Sequence, residues 1–202
     1  MTNDFTLEMV AESDPPGIQH ILPRFEGLTV FDVGGNVGQS VGVFADRFER
    51  VVSIEPADNS FPVLHELCDR LTDAGSVRAE CFAIKAAATD HDGMVTLAKQ
   101  ENHWRRGQLS SPESDSDSSE PGSWGQILEW VEVPAVKLDS LAYGIDGSAV
   151  LPDALGEVER WQRAPEAFGA PDLIKIDVEG HVAKVLLVAM TIIDLVRPSL
   201  FV

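Results

Sequence analysis

Acidic side chains stand at three points where an apolar run gives way to glycine or proline: Asp32 ahead of Gly34-Gly35-Asn36-Val37-Gly38, Glu55 ahead of Pro56, and Asp177 with Glu179 ahead of Gly180. In an open parallel sheet, ligands bind at the carboxyl ends of the strands, beside the point where strand order reverses. Carboxylates at such ends accept hydrogen bonds from hydroxyls or pair with a cation. A dinucleotide turn needs the spacing G-x-G-x-x-G, which closes backbone amides on a pyrophosphate. The turn here lacks that spacing and places Asp32 just before the glycines. A carboxylate in that position repels pyrophosphate and suits the ammonium end of S-adenosylmethionine. Gly34, Gly35 and Gly38 let the backbone pass close to the methionine part, with Asn36 among them. Glu55, about 20 residues further on, is placed to accept from both ribose hydroxyls, a role shared by nicotinamide and methyl-donor cofactors. The expected cofactor-binding residues are therefore Asp32, Gly34, Gly35, Asn36, Gly38, Glu55 and Pro56.

Methyl transfer from a sulfonium is an in-line displacement, so the protein's task is to align the acceptor and exclude water. A hydroxyl acceptor also needs a base within hydrogen-bond reach. Asp177, Glu179 and His181 are the candidates at the mouth of the site. His181 reads equally well as an exposed polar residue in the first turn of a helix, and Asp177 and Glu179 as charges complementing a helix dipole. Two carboxylates are too few to define a divalent-cation site, so no metal is expected. His103, Trp104, Arg105 and Arg106 form either a substrate-facing patch or part of a solvated loop.

Buried strands must carry these residues. Leu28 to Val33 is an apolar, β-branched run, predicted as the first strand, and Val37, Val41, Phe44 and Phe48 recur behind the turn at helical spacing. Val51 to Glu55 predicts a second strand. Ser60, with Pro62 two positions on, opens a helix striped by Phe61, Leu64, Leu67, Cys68 and Leu71 and terminated at Gly75. Val77 to Ile84 predicts a third strand, and strands alternating with helices imply parallel pairing with right-handed crossovers. Asp92-Gly93 signals a hairpin between 86–89 and 94–98. The acidic, serine-rich centre of 99–126 predicts a mobile loop, either a lid or a solvated insertion. Ile127 to Lys137 reads as an edge or hairpin strand, 152–163 as a surface helix, Leu173 to Val178 as another buried strand. A helix bearing Val182, Val185, Leu186, Ala189, Ile192 and Ile193 follows, and a last strand begins at Pro198.

The chain of 202 residues fits one domain, with 1–27 an N-terminal arm and 28–202 the catalytic unit. Its net charge of -18, from 33 acidic against 15 basic residues, argues against nucleic acid as a partner. No apolar run approaches the ~20 residues of a membrane span, and the acidic start does not resemble a signal peptide, so a cytoplasmic protein is expected. Cys68 and Cys81 read as ordinary buried thiols.

Val30-Phe31-Asp32-Val33-Gly34-Gly35-Asn36-Val37-Gly38, Ser53-Ile54-Glu55-Pro56, Val136-Lys137-Leu138-Asp139-Ser140-Leu141 and Ile174-Lys175-Ile176-Asp177-Val178-Glu179-Gly180 resemble the successive motifs of the FkbM family of S-adenosylmethionine-dependent methyltransferases. The resemblance covers residues 28–202. It implies an α/β fold with a doubly wound, mostly parallel sheet of the Rossmann-like, class I methyltransferase type, here lacking the last strands. It also implies O-methylation of a sugar or small-molecule hydroxyl. His181 departs from the pattern, standing where the family carries a small or acidic residue. A nicotinamide-dependent oxidoreductase and a non-catalytic nucleoside-binding remnant are the competing expectations.

Overall fold

The computed structural model describes residues 24–74, 77–100, 107–109, 127–143, 168–178 and 181–202. Its main sheet is assembled from mostly apolar runs that are buried on both faces at the centre. β1 (Gly27–Val33), β2 (Phe48–Ile54), β3 (Glu80–Ile84), β8 (Leu173–Ile176) and β9 (Ser199–Phe201) lie in the order β3-β2-β1-β8-β9, every pairing parallel. The chain steps outward from β1 through β2 to β3, then returns to the other side of β1 with β8. Strand order thus reverses between β1 and β8, and ligands of open parallel sheets bind outside the carboxyl ends of strands at such a point.

Alternation along β1 sends Phe31 and Val33 to one face and Val30 and Asp32 to the other. Phe31 and Val33 join Val52, Ile54, Ile174 and Ile176 in a core closed by α3 (Leu138–Tyr143), α4 (Val182–Val188) and α5 (Met190–Val196). Val30, Val51 and Leu173 join the core under α1 (Val41–Ala45) and α2 (Phe61–Ala74). Helices therefore cover both faces, as an all-parallel sheet requires. The fold is α/β and doubly wound.

A smaller sheet runs β4 (Ala87–Ala88), β7 (Ile127–Val136), β5 (Gly93–Gln100), β6 (Gly107–Leu109). It corrects several expectations. The hairpin at Asp92-Gly93 does not form: β5 pairs antiparallel with β7, and β4 pairs with β7 in parallel. The Asp92 carboxylate instead accepts from the Lys137 N–H at 2.8 Å and the Ser140 hydroxyl at 2.7 Å, fastening this turn to the junction of β7 and α3. β7 is interior to its sheet, not an edge. Part of the predicted loop is strand, because β5 runs to Gln100 and β6 pairs back onto it.

Two helix expectations also change. Phe48 begins β2 and is not the end of a helix, since α1 stops at Ala45. The i, i+4 spacing of Phe44 and Phe48 is met across a bend, with the rings edge to face at 5.7 Å. The helix after Gly180 breaks at Ala189, whose N–H reaches both Val185 O and Leu186 O. α5 then restarts with the Ile192 N–H donating to the Asp139 carboxylate of α3 at 3.1 Å, a cap supplied by another helix. The N-terminal arm up to residue 23, Gly75, the centre of the 99–126 loop with residues 103–106, the helix at 152–163 and Glu179 lie outside the described residues. Among the described residues, no helix is long and apolar enough to cross a membrane.

Candidate ligand site at the switch point

Three registered residues form a polar row across the sheet: Ser53 on β2, Asp32 on β1 and Lys175 on β8. Partners at the same level of parallel strands point to one face, here the face under α1 and α2. Asp32 is fully buried. Its Oδ1 accepts from Lys175 Nζ at 2.9 Å and from the Ser40 hydroxyl at 3.1 Å; its Oδ2 accepts from Ser53 Oγ at 2.9 Å and Ser40 Oγ at 3.2 Å. Lys175, only 4% exposed, also stands 3.5 Å from Gly34 O and 3.9 Å from Asp177 Oδ2. A buried charge of either sign is tolerable only when paired. Asp32 and Lys175 meet that need for each other.

The glycines are required by the chain's own packing. A Cβ on Gly34 would lie 2.1 Å from the Asp177 carbonyl oxygen, one on Gly35 would lie 1.9 Å from Ser53 Oγ, and one on Gly38 would lie 2.5 Å from Leu67 Cδ2. Gly34 and Gly38 also hold φ of 78° and 95°, and Asn36 holds φ of 50°. The turn spends its amides internally. Gly34 and Gly35 both donate to Ile54 O, at 3.0 and 3.1 Å, Gly38 donates to Gly35 O, and Asn36 donates to Glu55 Oε2 at 2.9 Å.

Glu55 sits at the carboxyl end of β2, 7% exposed, with its second oxygen accepting from the Ala57 N–H at 2.9 Å. Burial pushes its carboxyl up to about 7; the Ala57 and Asn36 amides oppose this, Asp32 adds repulsion, and Lys175 draws it back down. Asn36 Oδ1 is buried without a hydrogen-bond partner, an acceptor held beside Glu55's amide donor. Pro56 is half-buried behind Glu55 and ends the strand.

Asp177 is exposed at the carboxyl end of β8, its N–H bonded to Val33 O at 2.9 Å. His181 is the N-cap residue of α4 and caps nothing with its side chain. Lys184 Nζ lies 3.5 Å from its Nε2. The structure thus brings Asp32, Gly34, Gly35, Asn36, Gly38, Glu55 and Asp177 around one end of the sheet. Lys175, Ser40 and Ser53 belong to the same cluster and were missed. The signal for Lys175 was present: a lysine inside Leu173-Ile174-Lys175-Ile176 must find an acid on a neighbouring strand.

Fold and site together define a doubly wound α/β domain with carboxylates gathered at the carboxyl ends of its strands, where strand order reverses. The chain is similar to the crystal structure of methyltransferase FkbM from Methylobacillus flagellatus KT, at 19% identity and a TM-score of 0.49, over 88% of this chain and 33% of that one. It thus spans about a third of the length of that protein. No protein family and no curated protein matches the chain by sequence.

Proposed function

We propose that the domain is an S-adenosylmethionine-dependent methyltransferase acting on a hydroxyl oxygen of a sugar or other small molecule. The observation that carries this is the state of the glycine turn. With the amides of Gly34, Gly35, Asn36 and Gly38 all bonded within the protein, the turn offers no ring of donors to a pyrophosphate. α1, of 5 residues, adds little dipole to attract one. What this end of the sheet offers is acceptors: the Glu55 carboxylate, the buried Asn36 Oδ1 and the exposed Asp177 carboxylate. These fit a ligand whose polar groups are donors and cations, namely a ribose diol, an α-ammonium and a sulfonium. Such a set disfavours a nicotinamide dinucleotide.

When bound, the cofactor would supply a methyl group already activated for in-line transfer. Glu55, ionised, would orient the ribose through its hydroxyls, and Asn36 would hold a donor against the turn. Asp32 and its serine partners would act through the backbone, keeping the turn in shape. His181, the N-cap residue of the helix that follows β8, is the group we assign to take the proton of the acceptor hydroxyl; Glu179 is the alternative carboxylate.

Calorimetry tests the cofactor assignment. Folded protein should bind S-adenosylmethionine and S-adenosylhomocysteine with micromolar Kd, about −8 kcal/mol, and should not bind NADH. No heat with either adenosyl ligand would overturn the assignment. Incubation with methyl-labelled cofactor and a panel of hydroxylated acceptors, read by mass spectrometry, tests the reaction; label appearing only on amines would exclude the oxygen reading.

A further inference from the structure

The acid nearest the glycine turn by sequence is the one least able to meet a ligand. Both oxygens of Asp32 are engaged by Ser40, Ser53 and Lys175, and the residue has no exposed surface. Asp177 lies 3.9 Å beyond the same ammonium and is exposed at the carboxyl end of β8. Lys175 therefore stands between two carboxylates of opposite fate. It cancels the buried one and leans on the open one. Its 3.5 Å approach to Gly34 O adds a tie from β8 to the start of the turn, where Asp177 O and the Gly34 α-carbon already pack closely.

Resting on the cofactor assignment above, we infer that Lys175 is a positioning residue which takes up the charge of Asp32 and holds Asp177 at the carboxyl end of β8, so that Asp177 is the carboxylate that receives the α-ammonium of the cofactor. Electrostatics favours the division. A cation approaching Asp32 would have to displace an ammonium already at 2.9 Å in a dry site, where pairs are strongest. Asp177 is only lightly coupled to Lys175 and remains free to take a second partner. The sheet's register enforces the arrangement, because Lys175 and Asp32 face each other directly across β8 and β1.

Two ligands separate positioning from mere stabilisation. S-adenosylhomocysteine carries the amino-acid end, and methylthioadenosine presents the same nucleoside without it. Asp177→Asn should melt like the wild type and weaken S-adenosylhomocysteine about tenfold while leaving methylthioadenosine unchanged. Asp32→Asn/Lys175→Met removes the buried pair together, avoiding an orphaned charge. It should likewise lose about tenfold toward S-adenosylhomocysteine alone. If the double variant binds both ligands as the wild type does, or loses both equally, Lys175 serves only the fold and the inference is overturned. An unchanged affinity of Asp177→Asn overturns it as well. Failure of the wild type to bind either ligand overturns the cofactor assignment itself, and this inference with it.

Discussion

Asn36 donates its backbone N–H to Glu55 Oε2 at 2.9 Å, so the turn after β1 is tied to the acid after β2 before any ligand arrives. The acid it ties is poised near neutrality. Glu55's folded pKa, about 7, lies above its ordinary value of 4.5. The folded state therefore holds a proton that the unfolded chain releases between those pH values, and stability falls as pH rises from about 4.5 through 7. The shift corresponds to roughly 3 kcal/mol. Urea melts at pH 5 and 8 should show this loss in the wild type. Glu55→Gln should flatten that part of the pH dependence, and an identical slope in both proteins would contradict the assignment.

Ligand binding should run the other way. An ionised Glu55 accepts hydrogen bonds from ribose hydroxyls and a protonated one offers fewer acceptors, so S-adenosylhomocysteine affinity is expected to rise as pH passes about 7. In Glu55→Gln it should be weak and nearly independent of pH. Titration calorimetry at pH 6, 7 and 8 checks both.

Breaking the buried pair on one side should be costly. Asp32→Asn leaves Lys175 charged and 4% exposed, and Lys175→Met leaves Asp32 alone with two serines; each should cost about 3–5 kcal/mol by denaturant melting. The double variant should recover most of that. Equal stability of the single and double variants would refute the coupling.

Gly34→Ala should be worse than Gly38→Ala although both glycines have positive φ. The Cβ at 34 meets a backbone carbonyl oxygen, whereas the Cβ at 38 meets the end of the Leu67 side chain, which can turn away. Backbone strain alone is worth about 1–2 kcal/mol at each. The carbonyl clash should push Gly34→Ala clearly beyond that, and thermal melts of the two variants decide the order.

Asp139→Ala should remove the cap on Ile192 and cost about 1 kcal/mol. Amide exchange in α5 should quicken while the amides of β1 stay protected. Uniform loss of protection would point to a global effect instead.

Much of this architecture was legible because the strands nearest the centre are buried on both faces and therefore read as apolar runs interrupted only by Thr29, Asp32, Ser53 and Lys175. Leu28 to Val33, Val51 to Ile54 and Leu173 to Ile176 could be placed without knowing their partners. Glu55 and the glycine turn followed from strand ends. What stayed hidden depended on contacts distant in sequence. Asp92 looks like a hairpin residue until Lys137 and Ser140 claim its carboxylate. Asp32 gives no sign of its buried partner until Lys175, on a strand late in the chain, faces it. Phe48 sits at helical spacing from Phe44, yet that spacing says nothing of the bend between them.

The row of Ser53, Asp32 and Lys175 has a consequence for how the sheet assembles. Purely apolar strands can slide past one another with little change in the surface they hide. Shift β8 by one residue against β1, however, and Lys175 moves to the other face of the sheet, level with Phe31 or Val33, while Asp32 looks onto hydrocarbon. Two ions would then be stranded in a medium that cannot solvate them. The polar row thus works as a key that favours a single alignment of the strands.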